Sequence, residues 1–321
     1  MTRISSTSEP TSQTKRWGRT LLAASSCLTL GFTLAARLGA FHWSFDLLAL
    51  FHTFYFFAAL GLVVISLLMR RYTWASVACL ALFINGWLLF PYLPVAASAN
   101  EARDLRIYVH NLYYLNDDLD TVLEDIALHN PDVVFLMEYS DEIQGQLEPR
   151  LERYPHRLIE PSRFTMGVAL FSRVPLIDAQ IRRFEATRIP IVQARLELGT
   201  QSVSFVGGHP WPPLGRWGAL HRAQMTDIAR VATDTPHPLV VAGDFNASPW
   251  SFVVDDLRQS AGVRDAQRGF GVRNTWWLNR FVALPIDQIL VSSEWTVLDL
   301  TQGNRGGSDH APLIIDLKLG P

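Results

Sequence analysis

The residues able to do chemistry in this chain stand at the ends of short apolar runs. Asn111 closes LRIYVHN, Glu138 closes PDVVFLME, and His209 follows SFVGG. Asp244 and Asn246 follow PLVVAG, Asp287 begins DQILVS, and Ser308-Asp309-His310 precedes APLIIDL. Asn111, Glu138, Asp244 and Asp309 offer hard oxygen ligands, which suit Mg²⁺, with Mn²⁺ as the alternative, and not zinc. The lack of a cysteine cluster and of H-E-x-x-H argues against a zinc-type site. His310, with Asp287 to orient its ring, reads as an acid/base pair. His209 can donate to a phosphoryl oxygen where negative charge develops. Acidic metal ligands beside histidines make a phosphoryl-transfer arrangement, in which a positioned water attacks in line while a metal neutralises the oxyanion. Taken singly, each residue has an ordinary reading: a strand-end glutamate is a solvated group, and Asp-Phe-Asn after Gly243 is good turn chemistry. Their ordered recurrence at strand ends carries the argument, because sites are assembled on loops at the edge of a rigid sheet. His129, His156, His221 and His237 are read as surface or helical residues.

The elements needed to position this set are legible. Apolar runs rich in Val, Ile and Phe predict strands near 105–110, 133–138, 168–172, 192–198, 203–208, 239–242, 289–291 and 313–317. Amphipathic spacing predicts helices over 119–129 and 216–232, the first stopped by Pro131. Strands mixed with helices over residues 101–321 predict an α/β or α+β domain with sheets covered by helices.

The first hundred residues obey another rule. Of the 58 charged residues in the 321-residue chain, only nine fall in residues 1–100. That excludes a uniform soluble protein, and the composition excludes a disordered or collagen-like chain. Three nearly charge-free stretches, about 17–38, 47–69 and 72–97, are predicted membrane spans, since a bilayer core needs roughly 20 apolar residues. Buried core helices are the alternative, but three in a row would need a large partner to cover them. Arg3, Lys15, Arg16 and Arg19 precede the first span, Arg70 and Arg71 follow the second, and only Arg37 lies between. The positive-inside rule then puts the N-terminus in the cytoplasm and the large domain outside it, an arrangement that suits a bacterial inner membrane. Ala97-Ser98-Ala99 also fits a signal-peptidase site, whose cleavage would release the domain. Cys27 and Cys79 both lie in predicted spans and do not report the redox compartment. The reading is therefore a membrane anchor over 1–100 and a catalytic domain over 101–321, joined by a short linker.

The pieces YVHN, PDVVFLME, GVALFSRVPL, GGHP, VVAGDFNASPWS, NTWW…IDQILVS and GSDHAPLIIDL resemble, in order, the motifs of the endonuclease/exonuclease/phosphatase superfamily, over about 105–317. The GDFN and SDH elements are the most specific. The resemblance implies a four-layer α/β-sandwich, two packed β-sheets flanked by helices. It implies that Glu138, with Asn111 and Asp309, holds Mg²⁺, and that Asp244 and Asn246 position or activate the attacking water. It further implies that Asp287 orients His310 and that His209 binds the phosphate; whether Asp244 or His310 takes the proton stays open. Arg173 of GVALFSRVPL, Trp211 and Trp250 are expected to contact substrate. The sequence departs from the family at Met137, where a glutamine often precedes the metal-binding glutamate, at Tyr113, where some nucleases carry an aspartate, and at Asp287-Gln288, where histidine or tyrosine more often follows the aspartate.

The bond type does not name the substrate. From Glu101 onward the chain holds 21 Lys and Arg against 28 Asp and Glu, so the overall basic footprint of a nucleic-acid binder is absent. The loops near the site are aromatic and apolar, as in HPWPPLGRWG, Trp250, Trp276-Trp277 and Phe281, and tryptophan favours membrane interfaces. The layout of three spans and an exterior domain is also similar to membrane phosphatases of the teicoplanin-resistance type. The sequence thus favours a phosphorylated lipid such as a polyprenyl diphosphate or phospholipid, met at the bilayer. A nuclease or nucleotide phosphodiesterase outside the cytoplasm is the alternative, and a decayed, membrane-anchored binding module the third reading. No feature indicates a protein partner.

Overall fold

The charge-poor N-terminal stretches form long helices. The structure, a computed structural model, describes residues 12–95 and 101–320. Helix α1 covers Ser12–Ala35, α2 Trp43–Ala49, α3 His52–Leu68 and α4 Tyr72–Leu89. Arg16–Leu38 and Tyr72–Tyr92 are each long and apolar enough to cross a membrane. Between them the expected single span over 47–69 is instead two helices, α2 and α3, bent by 59°. No proline or glycine marks this break. Its cause is tertiary: α2 docks on the large domain, where the Ala49 carbonyl accepts from the Ser248 hydroxyl (3.1 Å) and the Asp46 carboxylate from the Phe252 amide (2.6 Å). The expected end of the third span at Ala97 and the Ala97-Ser98-Ala99 site lie outside the described residues, as does Arg3.

A buried polar network ties the anchor helices together. His52 Nδ1 lies 2.7 Å from Asn85 Oδ1, and the Asn85 amide donates to Thr33 Oγ1 (2.9 Å) and to the Ala81 carbonyl (2.8 Å). These bonds satisfy polar side chains that the packing of the helices buries. Phe57, Phe83 and Trp87 point outward and are largely exposed.

The rest of the chain builds two mixed six-stranded sheets. Its strands are β1 (Leu105–Asn111), β2 (Val133–Met137), β3 (His156–Glu160), β4 (Val168–Ser172), β5 (Leu176–Arg182), β6 (Ile191–Leu198), β7 (Gln201–Gly208), β8 (Leu239–Asp244), β9 (Val263–Asp265), β10 (Trp276–Asn279), β11 (Val282–Leu284), β12 (Asp287–Ser292), β13 (Trp295–Gln302) and β14 (Leu313–Leu319). One sheet runs β13-β14-β1-β2-β4-β3 and the other β5-β6-β7-β8-β12-β9, while β10 and β11 form a separate hairpin. Alternation sorts the side chains. Ile107, Val109, Val133 and Phe135 face Val203, Phe205, Val240 and Ile289 in the inter-sheet core, where the Phe135 and Phe205 rings meet edge to face. Tyr108, Val134 and Leu136 point the other way, under α5 (Leu119–His129) and α6 (Asp141–Leu147). Val206, Val241 and Leu290 lie under α7 (Gly218–Thr233) and α8 (Phe252–Ser260). The result is the expected α/β-sandwich, helix–sheet–sheet–helix.

All eight predicted strands are present, most a residue or two longer than their apolar runs. The sequence signal missed β3, β5, β9, β13 and the β10–β11 hairpin, along with α6 and α8. Strand β5 alternates half-buried and exposed positions at a sheet edge, so it lacks the continuous apolar run by which central strands are recognised.

Candidate active site

Topology decides which strand ends meet. Strands β1 and β2 are parallel, joined across α5, and β7 and β8 are parallel, joined across α7. The C-terminal ends of these four strands deliver Asn111, Glu138, His209 and Asp244 to one edge of the sandwich. Strands β12 and β14 run antiparallel to β8 and β1, so their N-terminal ends reach the same edge; Asp287 pairs with Asp244, and His310 stands just before β14.

There the side chains form one network. The Asn111 amide donates to Glu138 Oε1 (3.2 Å) and to Asp244 Oδ2 (3.0 Å). The Tyr114 amide holds Glu138 Oε2 at 3.0 Å. His310 Nδ1 lies 2.8 Å from Asp287 Oδ2, while its Nε2 is 3.7 Å from Asp244 Oδ2. His209 Nδ1 donates to the Thr165 carbonyl at 3.2 Å, which turns its Nε2 toward Asp244 Oδ2 at 3.4 Å. Asn246 donates its backbone N–H to Asp244 Oδ1 and its amide to the Pro210 carbonyl. Asp309 accepts from the Trp276 indole at 2.8 Å.

Three non-glycine residues here, Tyr113, Glu138 and Asn246, have left-handed backbone, with φ of 60°, 54° and 49°. Such conformations cost on the order of 1–3 kcal/mol each and persist where the surroundings dictate them. At Gly243 (φ 156°) an added Cβ would collide with the Gly208 carbonyl, so the ends of β7 and β8 approach closely only because that residue is glycine.

Burial and charge set the protonation states. For His310 burial disfavours the imidazolium, but Asp287 and Asp244 outweigh it and push the pKa up to about 10. Burial likewise opposes charge on His209, yet its hydrogen bond to Asp244 and the negative charges nearby raise its pKa above the ordinary value. Burial would raise Asp244, but His310, His209 and the Asn246 amide reverse this and hold its carboxyl below the usual range. Asp287 moves up, chiefly through burial.

A divalent cation suits the donors on the cleft side. Glu138 and Asp309 border the cleft, receive only neutral N–H donors, and have no cationic partner among the described residues. Asp244, Asp287 and His310 also cluster closely enough to hold an ion. Within that trio Asp287 and His310 already pair with each other, 2.8 Å apart.

The endonuclease/exonuclease/phosphatase family model matches residues 109–310, from the end of β1 to His310. The chain belongs to the endonuclease/exonuclease/phosphatase family. Members of this family hydrolyse phosphate esters and use divalent metals. Among curated proteins none matches this chain by sequence. Solved structures share its fold. Humanized D. rerio TDP2 is 22% identical with a TM-score of 0.57, covering 67% of this chain and 98% of its own. The human Nocturnin catalytic domain with bound sulfate is 20% identical (TM-score 0.57; 68% and 96% covered). The 3′ phosphatase NExo from Neisseria, bound to product DNA hairpin, is 20% identical (TM-score 0.55; 67% and 99% covered). Helices α1–α4 lie outside the matched region, residues 109–310.

Of the predicted substrate contacts, Trp211 lines the cleft, stacked on Trp217 with ring centroids 5.5 Å apart. Arg173 is not in the site. Strand β4 runs antiparallel to β2, so its far end carries Arg173 to the opposite edge of the sandwich, over the Tyr154 ring and bonded to Asn130. Trp250 is not there either: it packs against His52 and Tyr92, and its indole donates to the Leu88 carbonyl. It is an anchor contact.

Sequence reasoning did not show how several residues support the site. His221, read as surface or helical, is helical but 2% exposed and donates to the Phe245 carbonyl (2.9 Å), fixing the turn between Asp244 and Asn246. The Ser308 hydroxyl ties the loop before β14 to the Asn111 carbonyl, and the Thr275 hydroxyl receives the Asp287 amide. Met137, where glutamine is commoner, places its sulfur 3.0 Å from the Asp244 amide. An i, i+4 apolar stripe around His221 on α7 was the available signal for its burial.

Proposed function

We propose that this protein is a membrane-anchored, divalent-metal-dependent phosphohydrolase acting on a phosphorylated lipid outside the cytoplasm. One observation carries the substrate class. The acidic and histidine residues lie in a cleft of about 470 Å³ whose other walls are apolar: Trp211, Pro212, Pro213, Leu214 and Trp217 on one side, and Leu47 and Leu50 of the anchor on another. A polar site walled in part by an anchor helix suits an amphiphile whose phosphate reaches the carboxylates while its chain lies along α2. The domain's net negative charge does not suit a polynucleotide backbone.

Within this reading Glu138, Asn111 and Asp309 hold Mg²⁺ or Mn²⁺, which when bound neutralises phosphoryl oxygens. Asp244, kept ionised by its neighbours, and Asn246 orient the attacking water, and Asp244 receives its proton. His310, charged by Asp287, and His209 donate to the phosphoryl oxygens as negative charge develops there. The raised pKa of His310, near 10, which leaves it already protonated at neutral pH, supports Asp244 as the base in this reading.

The sidedness rests on charge and packing together. The domain packs on the end of the bundle that carries Arg37–Ala49 and Leu88–Val95, opposite the end carrying Arg16, Arg19, Arg70 and Arg71. The test is a panel of polyprenyl diphosphate, phosphatidic acid and oligonucleotide offered to full-length protein in detergent with Mg²⁺. Phosphate release from a lipid that is lost in Glu138→Ala supports the proposal. Cleavage of the oligonucleotide with no lipid turned over would replace it with the nuclease reading suggested by the DNA-bound fold neighbours.

A further inference from the structure

A second cavity, of about 240 Å³, lies where the anchor meets the catalytic domain, on a face the catalytic cleft does not use. Three guanidinium groups border it: Arg37 just beyond α1, Arg258 on α8 and Arg268 before β10. Asp255 also lines it, 3.5 Å from Arg258. Arg258 Nε is buried without a hydrogen-bond partner, and among the described residues Arg37 and Arg268 have no ion-pair partner. Two more carboxylates lie in the field of these arginines, Asp46 near Arg37 and Asp265 near Arg258 and Arg268; they accept from the Phe252 amide and from the Tyr92 hydroxyl (2.8 Å). Trp87 and Trp250 complete the lining, Trp87 being 72% exposed on the outer surface of α4.

Location supplies the ligand's source. Arg37 lies two residues beyond the end of α1 and Trp87 sits in the last turn of α4, so the cavity lies at the helix ends, the depth of lipid headgroups. Guanidinium groups bind phosphate through paired N–H donors, and basic pockets beside membrane helices capture anionic headgroups. We propose that this cavity binds the phosphate headgroup of an anionic phospholipid, and that this lipid secures the catalytic domain against the anchor. The inference depends on α1 and α4 spanning the membrane and is independent of which phosphate ester is hydrolysed.

The test measures lipid binding to the full-length protein in detergent, by native mass spectrometry and thermal stability, with no turnover involved. Phosphatidylglycerol and phosphatidylcholine of equal chain length are compared, with inorganic phosphate as a third arm. Each basic group at an anionic headgroup contributes on the order of fivefold in affinity, so Arg37→Gln with Arg268→Gln is expected to weaken phosphatidylglycerol binding by roughly tenfold or more and leave phosphatidylcholine unchanged. Arg37→Lys with Arg268→Lys, which keeps the charge, retains most of the preference and shows that the fold is intact. Arg163→Gln with Arg182→Gln, exposed arginines that do not line the cavity, binds as the parent does. Equal binding of both lipids by the parent, or an undiminished preference in the Gln pair, overturns the proposal. Saturable binding of inorganic phosphate without any lipid preference overturns the lipid assignment in favour of a soluble anion.

Discussion

Replacing Asp287 by asparagine tests the charge state assigned to His310. The exchange keeps the size of the side chain but removes the charge 2.8 Å from His310 Nδ1, the largest influence favouring the imidazolium. A rise from 6.5 to about 10 corresponds to about 5 kcal/mol of preference for the charged ring. Asp244, at 3.7 Å, supplies the rest of the favourable field and remains in the variant. The sign follows directly. His310 is protonated below its raised pKa and loses its proton as pH rises through about 10, so the parent holds its activity to that limit. In Asp287→Asn that alkaline limit falls by about two units or more, because burial now works against a weaker field. With the charged donor lost above that lowered limit, kcat/KM is expected to fall on the order of tenfold or more at pH 9 and to recover toward pH 6. The assay is the pH dependence of kcat/KM on a chromogenic phosphodiester, with full-length protein in detergent at saturating Mg²⁺. An unmoved alkaline limb together with less than about threefold loss would refute the assignment, since the ring would then not depend on Asp287 for its charge.

Glu138→Gln should abolish metal-stimulated turnover and weaken Mn²⁺ binding on titration; metal affinity equal to the parent's would place the cation elsewhere. Two buried histidines make the fold acid-sensitive. Burial lowers His221 to about 4 and His110 to about 3, so both fold neutral, and the stability this represents is complete above 6.5 and lost as pH falls through their folded values. His221 alone accounts for roughly 3 kcal/mol between pH 6.5 and 4, and a thermal midpoint flat over that range would contradict it. Asp46→Ala removes the carboxylate that caps α8 from the anchor, since Ser251 makes no side-chain cap of its own. A loss of about 1–2 kcal/mol is expected, with faster proteolysis between anchor and domain. Unchanged protease sensitivity would show that the anchor is not secured there.

What could be read along the chain was whatever short-range periodicity encodes. Runs such as PDVVFLME and APLIIDL announce central strands because strands covered on both faces must be apolar throughout. The acidic and histidine residues that follow those runs in the sequence are the ones assembled at the site. Edge strands such as β5 were not legible, because one face meets water and the pattern thins.

Strand direction was not legible either. Arg173 follows an apolar run just as Asp244 does, yet β4 is antiparallel to β2 and carries it to the far edge. Composition alone showed that the first hundred residues follow a different rule from the rest, since the scarcity of charge needs no partner to interpret. Only the tertiary structure decided that the second apolar stretch breaks into α2 and α3, that Trp250 serves the anchor, and that Leu47 and Leu50 wall the catalytic cleft. Those outcomes depend on contacts between residues some 160–200 positions apart, such as Ala49 with Ser248 and Leu88 with Trp250, which no local pattern records.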